Sequence, residues 1–405
     1  MMGLEELDGG DRYLVLHWLN ERDIPNNSDI DWTTPHIKKS MQDVYPVFLF
    51  LFVLVGLSGL LGNLTIIAVV IKRGMYKDPL FFLLGNAALS DILKCLFVLP
   101  ISVSNLTLQD WIFGSFLCYF LPMMQSYPNH ASMLTYVVIA IDRYRKVVYP
   151  MKSRVPAGLC IIAIWVVSLC LVLPYAVYVK YLDIGYYLPL LKGAAICGLN
   201  HETRTEDFVR AIFVTLYILP LAFISFLFVK VSADLKSQET PNSFENSCRE
   251  PVITWSRNHG IEAEGNSGDS NNYSVFAEET DDLDVRQEKQ TQKYLICMVV
   301  TFGLCWWPVQ ILDLVTNLVL ETEENTSHFD VTYTTFVLFG FLSTCSNPIL
   351  FASWQMSHST KDRLKGYFHF SGSRRRHERR QSESSKLTQG SYTIDSEISR
   401  ISNQD

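Results

Sequence analysis

The sequence predicts an all-α membrane protein, a bundle of seven transmembrane helices, on three observations. Seven long apolar stretches divide the chain, beginning near Tyr45, Leu80, Phe116, Pro156, Phe208, Gln292 and Val331. The first runs from 45 to 71 without a charged residue, and a helix needs roughly 20 apolar residues to cross the ~30 Å hydrocarbon layer. Apolar residues make up 48% of the chain and charged residues 19%, with nearly all of the charge between the stretches and in the tails. A soluble domain has no use for seven helices that are apolar on every face.

The distribution of positive charge predicts the topology. Lys and Arg concentrate on the cytoplasmic side of membrane proteins. They follow the first stretch (72–77) and the third (143–154), whereas 104–113 and 321–330 contain none. We therefore expect an extracellular N-terminal arm over 1–44, a seven-helix domain over 45–356 and a cytoplasmic tail over 357–405, in a multi-pass protein of the plasma membrane. Residues 237–287 are rich in Ser, Asn, Gly and acids, which predicts a disordered cytoplasmic loop.

Two covalent features follow from this topology. The glycosylation sequons at Asn26, Asn105 and Asn325 fall outside the cell and are predicted to carry sugar. Of nine cysteines, Cys118 and Cys197 face the oxidising side, and we expect them to form a disulfide across the mouth of the bundle. The alternative is two free thiols.

Polar residues at mid-membrane depth indicate function, because burying them in hydrocarbon is costly. Asp91 is the clearest case, since a carboxylate there costs ~2.5–3.5 kcal/mol on insertion scales. Ser132, Ser343 and Asn347 lie at similar depth in other stretches. They are expected to converge with Asp91, either as a hydrated ion-binding cluster or as a structural polar plug.

An ordered series of short motifs gives a family resemblance that covers almost the whole membrane region. The chain resembles rhodopsin-like (class A) G-protein-coupled receptors, particularly neuropeptide receptors of the neuropeptide Y, RFamide and tachykinin-like groups. The motifs are Gly62-Asn63, Leu89-Ser90-Asp91, Trp111-Ile112-Phe113-Gly114, Asp142-Arg143-Tyr144, Trp165, Pro220, Phe302, Cys305-Trp306-Trp307-Pro308 and Asn347-Pro348. Each is weak alone, but all occur in order, each on its expected helix.

The resemblance implies a switch driven by outward movement of the sixth helix. Pro308 and Pro348 remove backbone hydrogen bonds and kink their helices. Trp306 would sense ligand, with Phe302 below it. At the cytoplasmic end Arg143, flanked by Asp142 and Tyr144, would pair with Glu288 and hold the closed state, and outward movement would open a crevice for a heterotrimeric G protein.

Two residues depart from the family pattern. The seventh-helix motif usually ends in Tyr, but this chain has Phe351, and the fifth helix usually carries Tyr where this chain has Phe228. In similar receptors the two hydroxyls meet through water in the active state. Because both hydroxyls are absent here, neither position leaves a polar group without its partner. We hypothesise that packing and Arg143 contacts alone hold the active state here.

Lys94 is a third unusual residue. Similar receptors have an allosteric sodium ion at the carboxylate that corresponds to Asp91. Lys94 lies three residues further along the same helical face. Lys94 either neutralises Asp91 and replaces the ion, or it points up into the hydrated pocket and contacts ligand. The full turn between the two groups favours the second interpretation.

The ligand class is narrowed by the expected pocket. Amine receptors in the family carry Asp where this chain has Gln125, and Gln there is similar to many neuropeptide receptors. Tyr127, Gln310, Asp313 and Trp306 complete the candidate ligand-binding group. Residues 1–45 hold nine acids against four Lys or Arg, and an acidic rim attracts cationic ligands. We expect a basic peptide with an amidated C-terminus, although surface acids can also serve solubility alone.

The cytoplasmic tail suggests further partners. Residues 356–370 resemble the short amphipathic eighth helix of the family, and the basic run 374–380 suits anionic lipid. Ser and Thr between 382 and 399 are candidate sites for a receptor kinase, which would recruit arrestin. The sequence has no metal cluster, nucleophile elbow or phosphate loop, so we expect neither an enzyme nor a nucleic-acid-binding protein. The alternatives are a non-signalling peptide scavenger and a class A receptor for a non-peptide ligand.

Overall fold

A computed structural model describes most of the membrane region. It covers residues 11–12, 15–16, 37–108, 110–151, 155–187, 191–199, 205–248, 270–316 and 326–356, without the side chains of 205–206, 208–209, 239–248, 270–284, 313, 316 and 326–328. Asn26, Asn325, the predicted eighth helix and the Ser/Thr-rich tail lie outside the described residues.

Seven long helices confirm the predicted fold class. They are α1 (Tyr45–Lys72), α2 (Pro79–Thr107), α3 (Gly114–Val148), α4 (Ala157–Val172), α5 (205–248), α6 (Ser270–Thr316) and α7 (Thr326–Gln355). A short antiparallel pair, β1 (Val179–Asp183) and β2 (Ala195–Leu199), lies between α4 and α5.

The polar helix α3 lies at the centre of the bundle. Six of the seven helices are long and apolar enough to cross a membrane on their own, and α3 is the exception. It contacts α2, α4, α5 and both strands, so polar side chains such as Ser132 and Thr135 are buried against protein. By contrast, α1 and α4 leave Phe50, Leu61 and Ile162 more than 60% exposed. Apolar surface of this kind needs lipid, and the protein is a multi-pass membrane protein.

Prolines shape two of the helices. The α-helical turns widen to π-helix at Lys94–Val98 in α2 and at Val214–Ile218 in α5. Each wide turn contains the residue four positions before a proline, Pro100 or Pro220. A proline ring clashes with that carbonyl and offers it no N–H. The wide turn in α2 begins at Lys94 and therefore affects the direction of its side chain.

The hairpin is fixed to the outer end of α3 by the predicted disulfide, which is present. Cys118 and Cys197 are bonded with their Cα atoms 5.6 Å apart. Cys118 is fully buried, and Trp111 and Leu121 lie in the same cluster. The backbone N–H of Trp111 also donates to the Ala195 carbonyl over 3.1 Å. Disulfide and hydrogen bond together tie the hairpin to the mouth of the bundle.

Helices α5 and α6 extend into the range that composition predicts to be a disordered loop. Helix α5 continues to Cys248 and α6 begins at Ser270, so 237–248 and 270–287 are helical, and 249–269 lie outside the described residues. Low hydrophobicity indicates that a segment has no core of its own. It does not prevent a helix already nucleated in the membrane from continuing.

Candidate functional site

Two adjoining cavities open among the helices at the outer half of the bundle. The first lies among α2, α3, α6 and α7, and its lining includes Ser102, Gln125, Val309, Tyr333 and Phe341. The second lies deeper, among α3, α5 and α6, and its lining includes His130, Met133, Leu216, Tyr217 and Phe302. Both are also lined by Ser126, Asn129, Trp306 and Gln310. They contain about 180 and 80 Å³ of water-accessible space, and both open to solvent.

The polar groups of these cavities are mostly neutral amides and hydroxyls. Gln125 donates from Nε2 to the Ser102 hydroxyl over 3.2 Å, and Gln310 lines both cavities as predicted. Asn129 Oδ1 and His130 Nδ1 are buried and have no hydrogen-bond partner among the described residues. Sequence analysis missed both, although Asn129 lies one turn below Gln125 on the same face of α3. These two acceptors are available to N–H donors of a ligand.

Two further residues, Tyr127 and Asp313, were predicted to line the pocket. Tyr127 faces α4, where its hydroxyl donates to the Trp165 carbonyl over 3.3 Å and its ring packs edge-on against that indole, 5.2 Å between centroids. The prediction that Tyr127 lines the pocket was therefore wrong, because two residues along a helix turn a side chain about 200° away from Gln125. The side chain of Asp313 lies outside the described residues.

Trp306 forms the boundary between the cavities and the helix core. Its indole Nε1 donates to the Ser343 hydroxyl on α7 over 3.1 Å, and its ring packs edge-on against Phe341, 6.0 Å between centroids. Ser343 in turn donates to the Gly340 carbonyl over 2.7 Å. Ser343 was predicted to join Asp91, but its hydroxyl serves Trp306 instead.

Below Trp306, Asp91 and Lys94 form a buried ion pair. Lys94 Nζ lies 2.9 Å from Asp91 Oδ1 and donates to the Ser132 hydroxyl over 2.8 Å. Both charged residues are at most 1% exposed. The favoured interpretation, that Lys94 points up into the ligand pocket, was wrong, because its flexible side chain spans the single turn back to Asp91. Ser132 belongs to the cluster as predicted.

Helix α7 joins this cluster through Asn347. Its Nδ2 donates to Asp91 Oδ2 over 2.7 Å, and its Oδ1 accepts from the Tyr136 hydroxyl over 3.2 Å. The Tyr136 ring contacts Phe302 on α6, with 5.4 Å between centroids. The cluster therefore connects α2, α3, α6 and α7. No group of three His, Cys, Asp or Glu side chains within the described residues is placed to hold a metal ion.

At the end of the bundle opposite the cavities, ion pairs join α3 to α6. Arg143 Nη2 lies 2.7 Å from Asp142 Oδ2, and its Nη1 lies 3.3 Å from Glu288 Oε2. Lys146 also pairs with Glu288, a contact that sequence analysis missed although Lys146 lies one turn from Arg143. Tyr144 packs edge-on against Tyr149, 5.8 Å between centroids. With Glu288 held by two cations, the inner end of α6 is closed against α3.

Comparison with known proteins agrees with this arrangement. Residues 62–351 match the family model described as "7 transmembrane receptor (rhodopsin family)". The chain belongs to the rhodopsin family of seven-transmembrane receptors. The receptor is 27% identical over 314 residues to a QRFP-like peptide receptor of Branchiostoma floridae, covering 76% of this chain and 73% of the relative. Neuropeptide Y receptor type 2 is 25% identical over 340 residues in Homo sapiens and 27% over 342 in Gallus gallus, covering in each case 80% of this chain and 77% of the relative.

The two unusual phenylalanines of the receptor are both buried. Phe228 on α5 and Phe351 on α7 are each 5% exposed. Phe351 lines a small internal cavity with Tyr136, Met298 and Asn347. A hydroxyl at position 351 would be buried in this cavity, whose lining is mainly apolar.

Further polar contacts join the helices of the receptor and were missed from sequence. Asn86 donates from Nδ2 to the Thr135 hydroxyl over 2.8 Å and accepts from Trp165 Nε1 over 2.9 Å, which joins α2, α3 and α4. Asn63 donates to the Gly59 and Thr344 carbonyls, both over 2.8 Å, which joins α1 and α7. Asn63 and Trp165 were recognised as motif residues, but their partners could not be read from the sequence.

Proposed function

We propose that this receptor binds an extracellular neuropeptide in its outer cavities and activates a heterotrimeric G protein by outward movement of α6. The alternating states are the closed arrangement described above and one in which the inner end of α6 has moved away from α3. A ligand that binds the open state better shifts the population toward it.

The observation that carries this proposal is a continuous series of contacts from the cavities to the inner face. Trp306 lines the cavities and bonds to Ser343 on α7. One turn below Trp306 on α6, Phe302 contacts Tyr136, and Tyr136 reaches Asp91 through Asn347. Tyr136 and Arg143 lie on the same helix, two turns apart. A movement of α6 at the cavity is therefore expected to affect the contact between Arg143 and Glu288.

The chemistry of the lining supports a peptide with an amidated end. Gln125, Asn129 and Gln310 offer amide donors and acceptors that match peptide and carboxamide groups, and none of the described cavity-lining residues is an Asp or Glu. Asn129 Oδ1 is a buried acceptor without a partner, which favours a ligand that supplies N–H groups. The printed names of the relatives, peptide and neuropeptide Y receptors, agree with this class.

Charge near the outer rim supports a basic peptide. Residues 1–45 hold nine acids against four Lys or Arg, and Asp313 belongs to the outer part of α6. Asp330, a further acid near the start of α7, is not available to a ligand, because it is paired with Lys38 at 3.1 Å. The expected contribution of the remaining acids is long-range steering, which speeds association and weakens with salt.

The same proposal places the receptor in the plasma membrane with its N-terminus outside. The positive segments at 72–77 and 143–154 support this orientation. Ser and Thr between 382 and 399 would then be cytoplasmic substrates for a receptor kinase, and their phosphorylation would recruit arrestin.

The test is a screen of basic peptides, each made with a C-terminal carboxamide and with a free acid, on cells that express the receptor. Guanine-nucleotide exchange and direct binding are measured in the same membranes. We expect a carboxamide peptide to bind and drive exchange, its free acid to be weaker, and Arg143→Gln to keep binding while exchange is lost. Asn129→Ala is expected to weaken binding of the carboxamide form.

Phe228 and Phe351 favour one alternative, a scavenger that binds peptide without signalling. The same screen separates the two functions. A peptide that binds and is internalised without any exchange would establish the scavenger, whereas activation only by non-peptide compounds would overturn the ligand class.

A further inference from the structure

The Asp91 carboxylate is the place where the family resemblance leads us to expect a sodium ion. A hard cation of this kind is held by oxygen ligands with free lone pairs. The candidate oxygens are those of Asp91, Ser132, Ser343 and Asn347. Whether the residues present fit an ion depends on what these oxygens already bind.

The oxygens are already engaged by groups of the protein. Asp91 Oδ1 accepts from Lys94 Nζ over 2.9 Å, and Oδ2 accepts from Asn347 Nδ2 over 2.7 Å. The Ser132 hydroxyl accepts from the same ammonium over 2.8 Å. The remaining two oxygens each accept one hydrogen bond as well, Ser343 from Trp306 and Asn347 Oδ1 from Tyr136.

The Lys94 ammonium is held on several sides. It has the Asp91 carboxylate and the Ser132 hydroxyl as partners, and it lies 5.3 Å from the centre of the Phe302 ring. A cation at this distance from an aromatic face is attracted by the ring. Lys94 is 0% exposed, so no water compensates its charge from outside.

A sodium ion therefore does not fit beside Lys94. Two cations a few ångströms apart in a buried site repel strongly, because the low dielectric gives little screening. One carboxylate also compensates only one of them. We infer that the Lys94 ammonium takes the place of the ion, as a cation that is covalently part of α2 and that cannot leave the site or be changed by the sodium concentration.

This built-in cation also joins four of the helices. Through its own contacts it connects α2 to Ser132 on α3 and Phe302 on α6, and through Asp91 it reaches Asn347 on α7. Its loss would leave Asp91 as an unpaired buried carboxylate, which is the situation in which an external sodium ion gains a site.

The experiment measures thermal unfolding of the detergent-purified full chain in sodium chloride and in choline chloride at equal ionic strength. A thiol-reactive dye reports unfolding through the buried free cysteines, such as Cys95 and Cys305. We expect the same midpoint in both salts for the wild-type receptor. Lys94→Met is expected to unfold several degrees lower in choline and to recover most of that loss in sodium. Lys94→Met combined with Asp91→Asn is expected to lose the sodium response.

Each of these measurements can contradict the inference. A wild-type midpoint that rises in sodium, with the rise abolished by Asp91→Asn, would show that an ion binds alongside Lys94. A folded Lys94→Met receptor with equal midpoints in both salts would show that Lys94 does not occupy an ion site. If Lys94→Met does not fold, the measurements on the wild-type receptor and on Asp91→Asn still decide whether a sodium ion binds beside Lys94. The readout needs neither ligand nor G protein, so its result is independent of the proposed function.

Discussion

The indole of Trp306 on α6 donates a hydrogen bond to the hydroxyl of Ser343 on α7 over 3.1 Å, at the floor of the outer cavity. The Trp306 ring also lies close to a glycine of α7, one turn before Ser343. A Cβ added at Gly340 would stand 3.2 Å from Cε3 of the Trp306 ring, which is closer than ordinary van der Waals contact. A methyl group at position 340 would therefore require the Trp306 ring to shift by a few tenths of an ångström.

Gly340→Ala is expected to raise basal guanine-nucleotide exchange. The added methyl pushes the Trp306 ring away and weakens its bond to Ser343, which removes a contact specific to the closed state. A bias of ~1 kcal/mol corresponds to about a fivefold change in the equilibrium. Gly85→Ala is the matched control, because a Cβ there meets nothing within 4 Å. Equal basal exchange in the two variants would contradict the role given to this contact.

Glu288→Gln is also expected to raise basal exchange. The substitution removes the charge that pairs with both Arg143 and Lys146 while preserving the size of the side chain. The pairs are only partly exposed, and each is worth about 1 kcal/mol at the upper end of values for surface pairs. The measurement is nucleotide exchange in membranes without ligand, at matched receptor number.

Lys146→Gln provides the comparison for that variant. It leaves the Arg143–Glu288 pair in place, so its effect on basal exchange should be smaller than that of Glu288→Gln. If Lys146→Gln has the larger effect, Arg143 is not the principal partner that holds α6 closed.

The sequence was sufficient for the features that depend on composition and order along the chain. Seven helices were predicted from apolar length, although only six of them, all but α3, are apolar enough to cross a membrane on their own. The Cys118–Cys197 disulfide followed from topology. The Arg143–Glu288 pair was expected from the family resemblance, and the structure contains it.

The features that depend on side-chain direction could not be predicted in the same way. The spacing of Asp91 and Lys94 places them on one face, but it does not say whether the lysine bends back one turn or extends outward. The wide turn that begins at Lys94 adds to that ambiguity. Tyr127 is a different case, because helical periodicity alone turns it about 200° away from Gln125, so the sequence could have excluded a pocket that holds both.

Restoring the two hydroxyls in Phe228→Tyr/Phe351→Tyr is expected to raise basal exchange. Both positions are 5% exposed in the closed arrangement, so each new hydroxyl is buried, at a cost of ~1–3 kcal/mol if it finds no partner. In the open state the two hydroxyls can satisfy one another through water. The double variant should therefore favour the open state more than the sum of the single variants.

A double-mutant cycle on basal exchange measures this coupling. The single variants serve as controls for burial alone, and surface expression of all three is compared first. Additive effects, or a basal level equal to that of the wild-type receptor, would count against the hypothesis that the paired change to phenylalanine is a coordinated departure from the family.

The last prediction concerns the attachment of the extracellular arm to α7. Lys38 Nζ lies 3.1 Å from Asp330 Oδ1, Ser40 donates to Asp330 Oδ2 over 2.5 Å, and the Lys38 amide donates to the Thr107 carbonyl over 2.9 Å. Asp330→Asn weakens the first two contacts and should loosen the third. We expect hydrogen exchange of the amides over 38–42 to become about 1.4- to fivefold faster, because a partly exposed pair contributes ~0.2–1 kcal/mol to local stability.

Two variants test whether the effect belongs to this pair. Asp43→Asn removes an acid from an exposed position in the same segment and should leave the exchange of these amides unchanged. The charge exchange Lys38→Asp/Asp330→Lys should restore slow exchange, since the attraction is rebuilt with its sign reversed. Fast exchange in the charge-exchanged receptor would mean that Ser40 and the backbone bond, rather than the ion pair, hold the arm against α7.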